Sequence, residues 1–433
     1  MWTFLRAASL LAVSVSVVSP ALAAPDGEVT YTVSAGDTLY DLSQSYLSET
    51  SAVEEIRTLN GITNPRYLQI GKQIRVPRRL LKFEPVSLSL QNFKGPVSLE
   101  WNGRTFDASV GFAMREGVVL RTGANGFAAI AGDAGTLVTI PSNSRVRIID
   151  ARRYLINDKI DVQIKVLEGR GEVRAPKIDG AARFRVGTPV AVTAVRGTEF
   201  RVAHLPDTQT SLTEVVEGNV GVSQGSAIIE TGSGFGIAAT QAGLGGNEQL
   251  LAAPQLVDPG QIQTKQDVVF KIGKLDQAVA YRTQLASDAG FVDVLAQVVS
   301  EEETASFSDL EDGRYFVRSR AVSQSGLEGF SKVHSFRRKR IGAEAGVEPS
   351  PFADAYKFAW RIEGDGKAYN AFQLWRSDNP TSLIVDELGL EQSAVLVGAL
   401  APGDYKWRVA TFQIDEGEVI KVWGPTQDLA VSE

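Results

Sequence analysis

Cysteine is absent from the 433 residues. That excludes disulfides, a lipid-bearing N-terminal cysteine and any thiol nucleophile, and leaves hydrophobic burial to stabilise the fold. Histidine is scarce: His204 and His334 are the only two. Assigned to different domains, they cannot supply a His-rich zinc site. No Ser-x-x-Lys occurs, which removes the usual nucleophile pattern of penicillin-binding enzymes. Excess positive charge is lacking as well. With 44 Lys and Arg against 51 Asp and Glu the net charge is −7, the wrong sign for gripping phosphates, so no nucleic-acid partner is expected. Beyond the N-terminus no apolar run approaches the roughly 20 residues of a spanning helix, so no stable transmembrane anchor is expected. The alternating Gly232, Gly234 and Gly236 precede no helix of phosphate-binding character and read as a turn or bulge.

What is present starts with a leader. Arg6 precedes an apolar run containing Leu10, Leu11, Ala12, Val13, Val15, Val17 and Val18. Pro20 breaks the run, and Ala21-Leu22-Ala23 gives the small-x-small pattern before a cleavage site. Residues 1–23 therefore read as a secretory signal peptide, and the mature chain as periplasmic. An uncleaved anchor is the rival, but the run is short for it. The remaining length exceeds one hydrophobic core and should split into several domains.

Residues 29–78 are mixed. Tyr31-Thr32-Val33 is a β-prone run ending near Gly36. Asp37 and Thr38 offer capping oxygens to a helix through Leu39, Leu42 and Tyr46. Ser51 opens a second helix, with Glu54-Glu55 in its first turn and Val53, Ile56 and Leu59 at helical spacing. Asn60-Gly61 ends it, and Gln73-Ile74-Arg75-Val76-Pro77 is a closing strand. The order is strand, helix, helix, strand. Tyr31 to Leu39 resembles the opening signature of LysM modules. Leu59-Asn60-Gly61-Ile62, Asn64-Pro65, Leu68-Gln69-Ile70-Gly71-Lys72 and Ile74-Arg75-Val76-Pro77 follow in order. The resemblance implies binding of N-acetylglucosamine-containing glycans, peptidoglycan among them. It places the groove on Gly36, Asp37, Thr38 and Leu39, and on Ile62, Thr63, Asn64 and Pro65. Exposed loop backbone would serve the acetamido groups, and Leu39 and Ile62 an apolar surface. The competing reading is that Gly36, Asp37 and Thr38 only turn and cap, with Leu39 in the core.

Residues 85–245 read as all-β. Short runs such as Val118-Val119-Leu120, Leu137 to Ile140, Val146 to Ile149 and Val162 to Val166 alternate with turns. Val166 to Val173 and Val215 to Val222 echo each other, each read as strand, turn, strand. The region resembles the FecR domain family in Leu120-Arg121-Thr122-Gly123, Gly126, Ile140 to Arg145, Glu168-Gly169, Phe184 to Ala191, Val195 to Phe200 and Val216 to Val220. The family's best-known members sense a partner that controls a sigma factor. This chain lacks the internal membrane helix and cytoplasmic segment of that layout. Arg196-Gly197-Thr198 also reads as a structural turn.

An internal repeat follows at an offset of 90: Phe270 with Trp360, Leu310 with Leu400, Gly313 with Gly403, Tyr315 with Tyr405 and Arg318 with Arg408. Each unit suits a small β-sandwich, 254–340 and 350–433, and resembles fibronectin type III domains, with Tyr315 and Tyr405 as corner tyrosines and Trp360 as the core tryptophan. Residues 343–351 read as the link between them, and the basic run His334 to Arg340 as a solvated linker. Trp375, Trp407 and Trp423 are either an aromatic platform for sugars or packing residues.

The expected protein is multidomain and mainly β: a small βααβ LysM module, an all-β FecR-like domain and two C-terminal β-sandwiches. It is expected to be a non-enzymatic envelope adaptor or scaffold on peptidoglycan, with a protein partner and neither cofactor nor metal. A periplasmic sensor acting through the FecR-like domain is the alternative. A cryptic cell-wall hydrolase is the second, because carboxylate pairs are plentiful.

Overall fold

A computed structural model of the chain describes residues 27–175, 182–195 and 197–432. The leader at 1–23 and Arg196 lie outside the described residues. Strands make up 57% of the chain and helices 6%, so the mainly-β expectation holds. The chain divides into two compact units: residues up to 84 together with 152–159, and residues 85–151 together with 160–433.

The first unit begins with β1 (Glu28–Thr32), followed by α1 (Leu39–Tyr46), α2 (Val53–Leu59) and β2 (Gln73–Pro77). β1 and β2 are antiparallel, with Val29 opposite Val76 and Tyr31 opposite Ile74. Thr38 is the N-cap of α1, and its Oγ1 accepts the Asp41 N–H at 3.1 Å. Asp37 does not cap. Its carboxylate instead accepts from the Ser34 N–H at 2.7 Å and the Tyr31 hydroxyl at 2.8 Å. Ser51 does not start α2 either. A 3-10 turn over Thr50–Ala52 leads in, and no side chain caps the helix. Val29, Leu39, Leu42, Ile56, Ile62, Leu68, Ile74 and Val76 form the core. Tyr154 and Ile156 join that core from far along the chain, and the Leu155 N–H donates to the Lys82 carbonyl at 3.2 Å. The guanidinium of Arg78 lies over the Tyr154 ring, 5.5 Å from its centre.

In the second unit, the strands from Leu88 to Gln249 form a hydrogen-bonded network over a shared apolar core. The residues quoted for the FecR resemblance hold its turns. The Thr122 hydroxyl donates to the Pro141 carbonyl at 2.6 Å and accepts the Ser144 N–H at 3.0 Å. Gly169 approaches Asn143 so closely that a Cβ would stand 2.4 Å from its carbonyl oxygen. Thr188 closes the hairpin between Arg183–Gly187 and Val192–Val195, accepting the N–H groups of Val190 and Ala191. The two threonine hydroxyls satisfy backbone groups at these turns and Gly169 leaves room for Asn143, which is why the motif needs those residue types.

The echo at 166–173 is not strand, turn, strand. It lies inside one continuous strand, Lys159–Arg174. That strand pairs through 161–165 with Arg183–Gly187 and through 169–174 with Glu199–Leu205. Gly169, at φ +74°, marks where the pairing changes partner. The echo at 215–222 does turn, at Gly218 with φ +87°, between Thr210–Glu217 and Asn219–Gln224. Gly234, at φ +84°, likewise turns between Ala227–Gly232 and Phe235–Thr240.

Two sandwiches follow. The first pairs Val268–Lys271 with Thr304–Phe307 against a four-stranded sheet; the second sets three strands against five. The Tyr315 hydroxyl donates to the Glu311 carbonyl at 3.1 Å, and that of Tyr405 to the Ala401 carbonyl at 2.6 Å. The corner bond is thus repeated at the same offset. The segment 343–351, read as a link, largely belongs to a strand, Gly342–Glu348, paired with Ala355–Glu363 of the second sandwich. The basic run is no solvated linker. Most of it lies in the strand Glu328–Arg338, where Arg337 and Arg338 are buried. Arg337 binds Asp415 at 2.7 Å and Glu418 at 2.9 Å. Arg338 donates to the carbonyls of Leu310, Gln263, Lys265 and Gln266. Carbonyl oxygens and carboxylates replace water, so the charges are buried without being stranded.

Candidate glycan site

The two loops singled out in the sequence are joined. The Leu39 N–H, at the start of α1, donates to the Pro65 carbonyl at 2.8 Å. That bond brings Gly36–Leu39 beside Ile62–Pro65. The first loop is stiffened from within by the Asp37 carboxylate. Burial, with Asp37 adding to it, pushes the Tyr31 hydroxyl above its ordinary value, so it stays protonated as the donor. Gly36 takes φ +91°, a conformation that a side chain would strain. The second loop is held by the Asn64 side chain, whose Oδ1 accepts the Arg66 N–H at 3.0 Å, and by the Asn64 carbonyl, which accepts the Tyr67 N–H at 3.2 Å. Behind it, the Asn60 side chain donates to the Arg75 carbonyl at 2.7 Å and accepts the Arg75 N–H at 2.8 Å, tying the end of α2 to β2.

Of the eight residues, Gly36, Thr63 and Asn64 are exposed, and Asp37, Thr38 and Pro65 are half-buried. Leu39 is 1% exposed and Ile62 5%. Both side chains belong to the core, so they do not form the expected apolar surface; only their backbone groups can reach a ligand. Exposed apolar surface nearby in sequence comes from residues the sequence reading passed over. Tyr67, at 80%, and Ile70, at 67%, follow Pro65 on the same loop, and Tyr40 follows Leu39 on α1. The available signal was placement: an aromatic ring two residues after Asn64-Pro65 and one before the buried Leu68 has no core to enter. The site therefore offers backbone amides and carbonyls, short polar side chains and phenol rings, a chemistry suited to neutral sugars.

Among the described residues no group of three or more His, Asp or Glu is placed to hold a metal. No helix among them is long and apolar enough to cross a membrane. His204 is buried with Nδ1 3.1 Å from the Ser211 hydroxyl, and burial lowers its pKa. The tryptophans divide. Trp407 lies in the core of the second sandwich, Trp375 is buried on an inner strand of its larger sheet, and Trp423 is covered by Arg408, 4.1 Å above its ring. Packing, not a sugar platform, is what they share.

With this geometry in hand the comparisons are informative. The LysM domain model matches residues 31–77, and the model described as FecR protein matches residues 118–221. The chain therefore carries a LysM domain and a FecR domain over those residues. Both are non-catalytic binding or regulatory families, and together they suggest an envelope protein. No curated protein matches. Among solved structures, one described as an anti-sigma factor from Parabacteroides distasonis is 17% identical with a TM-score of 0.26. The match spans 30% of this chain and 59% of that one. A two-domain fibronectin type III segment of chicken tenascin is 11% identical with a TM-score of 0.20, spanning 42% of this chain and 100% of that one. Fibronectin(III)-like modules from Clostridium thermocellum are 12% identical with a TM-score of 0.20, spanning 40% and 90%. Scores this low add no argument to the folds described above.

Proposed function

We propose that this is an exported, non-enzymatic protein of the periplasm that binds peptidoglycan through the paired loops 36–39 and 62–65 and presents its FecR-like region and sandwiches to a protein partner. The Leu39–Pro65 bond carries the reading, because it makes one surface of two loops within the LysM match. N-acetylglucosamine is the sugar such a surface suits: its acetamido group needs one donor and one acceptor, and exposed loop backbone has both. A second reading, a sensor that passes an envelope signal to a membrane partner, is favoured by the FecR match over 118–221.

Co-sedimentation of the full mature chain with purified sacculi tests the proposal. Wild type should pellet and release no soluble muropeptides. Thr63→Ala, Asn64→Ala and Tyr67→Ala together should weaken pelleting about tenfold, a loss of about 1.4 kcal/mol. All three side chains are exposed and outside the apolar core, so the module should stay folded, while Asn64→Ala also gives up the Arg66 N–H bond within the second loop. Equal pelleting of the triple variant would place the glycan contact elsewhere, and muropeptides in the supernatant would make the protein a hydrolase.

A further inference from the structure

The FecR-like region and the first sandwich meet, inside the second unit, across a buried set of charges. Glu172 binds Arg318 at 2.8 Å and Arg320 at 2.7 Å. Glu328 binds Arg282 at 2.5 Å, Arg170 at 3.1 Å and Arg320 at 3.2 Å. Glu214 binds Arg201 at 2.7 Å and Arg170 at 3.1 Å, and also accepts the Glu328 N–H at 2.9 Å. Five arginines thus face three glutamates. Carbonyl oxygens of Gly326, Glu328 and Gly329 and the Gln284 side chain soften the imbalance without cancelling it.

Burial of unbalanced charge is costly, and an excess of two cations calls for anions. A cavity of about 40 Å³ adjoins the cluster, lined in part by Thr139, Glu172, Arg201, Phe291, Arg318 and Arg320. Arg174 and Glu199, paired at 3.5 Å, also line it. Both Glu172 oxygens are occupied by arginines. Arg320, 3% exposed, has an Nε with no acceptor among the described residues. Arg318 bonds through Nε and Nη2, leaving Nη1 outside these bonds. Burial first, and then the neighbouring Arg320, push the Arg318 pKa down to about 10, whereas Arg320, despite its burial, is held above its ordinary value by Glu172 and Glu328, so the shortfall of counter-charge falls on Arg318.

We propose that this cavity binds a small monovalent anion of chloride size against Arg318 and Arg320, closing the charge balance between the FecR-like region and the first sandwich. The space exceeds the roughly 10–15 Å³ that one water requires, which admits a single small ion. Thr139, 7% exposed, is a hydroxyl-bearing residue among those that line it.

Thermal unfolding of the full chain in sodium chloride and in sodium gluconate at matched ionic strength tests this. Raising chloride from about 10 to about 500 mM should lift Tm by about 2–4 °C beyond the gluconate control, because the ligand binds only the folded state. Thr139→Val, which leaves every ion pair intact, should reduce that difference. Crystals soaked in bromide should show an anomalous peak in the cavity, a readout independent of whether any variant folds. Superimposable melting curves in the two salts, or bromide peaks elsewhere with none in the cavity, would overturn the proposal.

Discussion

Arg318 and Arg408 stand 90 residues apart at matching places in the two sandwiches. Each donates through Nε to a glutamine on the adjoining strand, Gln284 at 2.9 Å and Gln373 at 3.0 Å. From there the two diverge. Arg318 passes into the buried cluster and binds Glu172 of the FecR-like region. Arg408 lies over the Trp423 ring. The acids diverge in parallel: the Glu328 side chain is 1% exposed, whereas that of Glu418, 90 residues later, is 68% exposed. In the first repeat the cross-strand Arg–Gln pair adjoins an interface, and in the second the arginine stacks on a tryptophan of its own sheet. The same residues in the same strands therefore carry very different energies, set by what lies over them.

The sharpest way to break this comparison is to remove both acids in turn. Glu328→Ala takes from Arg282 its acid partner and from Arg170 and Arg320 one of two, and should cost about 3–5 kcal/mol in urea denaturation. Glu418→Ala removes an exposed partner of Arg337 and should cost within about 0.5 kcal/mol. Equal losses would show that the first sandwich gains nothing from its docking.

Acid should separate the pair next. Burial alone would raise Glu172 and Glu328, but Arg318 and Arg320 on the first, and Arg170, Arg282 and Arg320 on the second, hold both below the ordinary glutamate value of 4.5. A folded value below the unfolded one gives stability that is complete above 4.5 and is lost as pH falls through the folded value. Stability should therefore be insensitive to these two groups at neutral pH and should fall below about pH 4.5, more steeply in wild type than in Glu328→Ala. A parallel acid profile for the two proteins would remove Glu328 from the account.

A third effect should be shared by the two sandwiches. Tyr315→Phe and Tyr405→Phe each delete one hydroxyl-to-carbonyl bond and should each cost about 1 kcal/mol by chemical denaturation. Equal costs would confirm that the sandwiches share a frame and differ only in their faces.

Much of that frame was legible. The βααβ order, the corner tyrosines and the 90-residue offset follow from periodicity, turn residues and repetition, which are local properties. The glycan loops were legible as positions but not as surfaces. Leu39 and Ile62 read as apolar contacts, yet α1 and the loop after α2 turn them inward, and burial depends on partners distant in sequence. The basic run misled for the same reason. Arg337-Arg338-Lys339-Arg340 looks like a solvated stretch, and only the fold supplies the carbonyls and acids that take up Arg337 and Arg338. Arg318-Ser319-Arg320 did carry a hint, since two arginines two apart on a strand share a face, but nothing local revealed that Glu172 would meet them.

Tyr154 and Ile156 have a consequence for heredity. A module that travels between genes by recombination must close on itself, because its new neighbours cannot be relied on to finish its interior. Residues 29–78 do not meet that condition here, since two members of their apolar core are encoded more than 70 codons downstream. A crossover that copied this LysM segment alone into another reading frame would deliver it with a missing wall, so the segment and the coding stretch around 152–159 are expected to be inherited together.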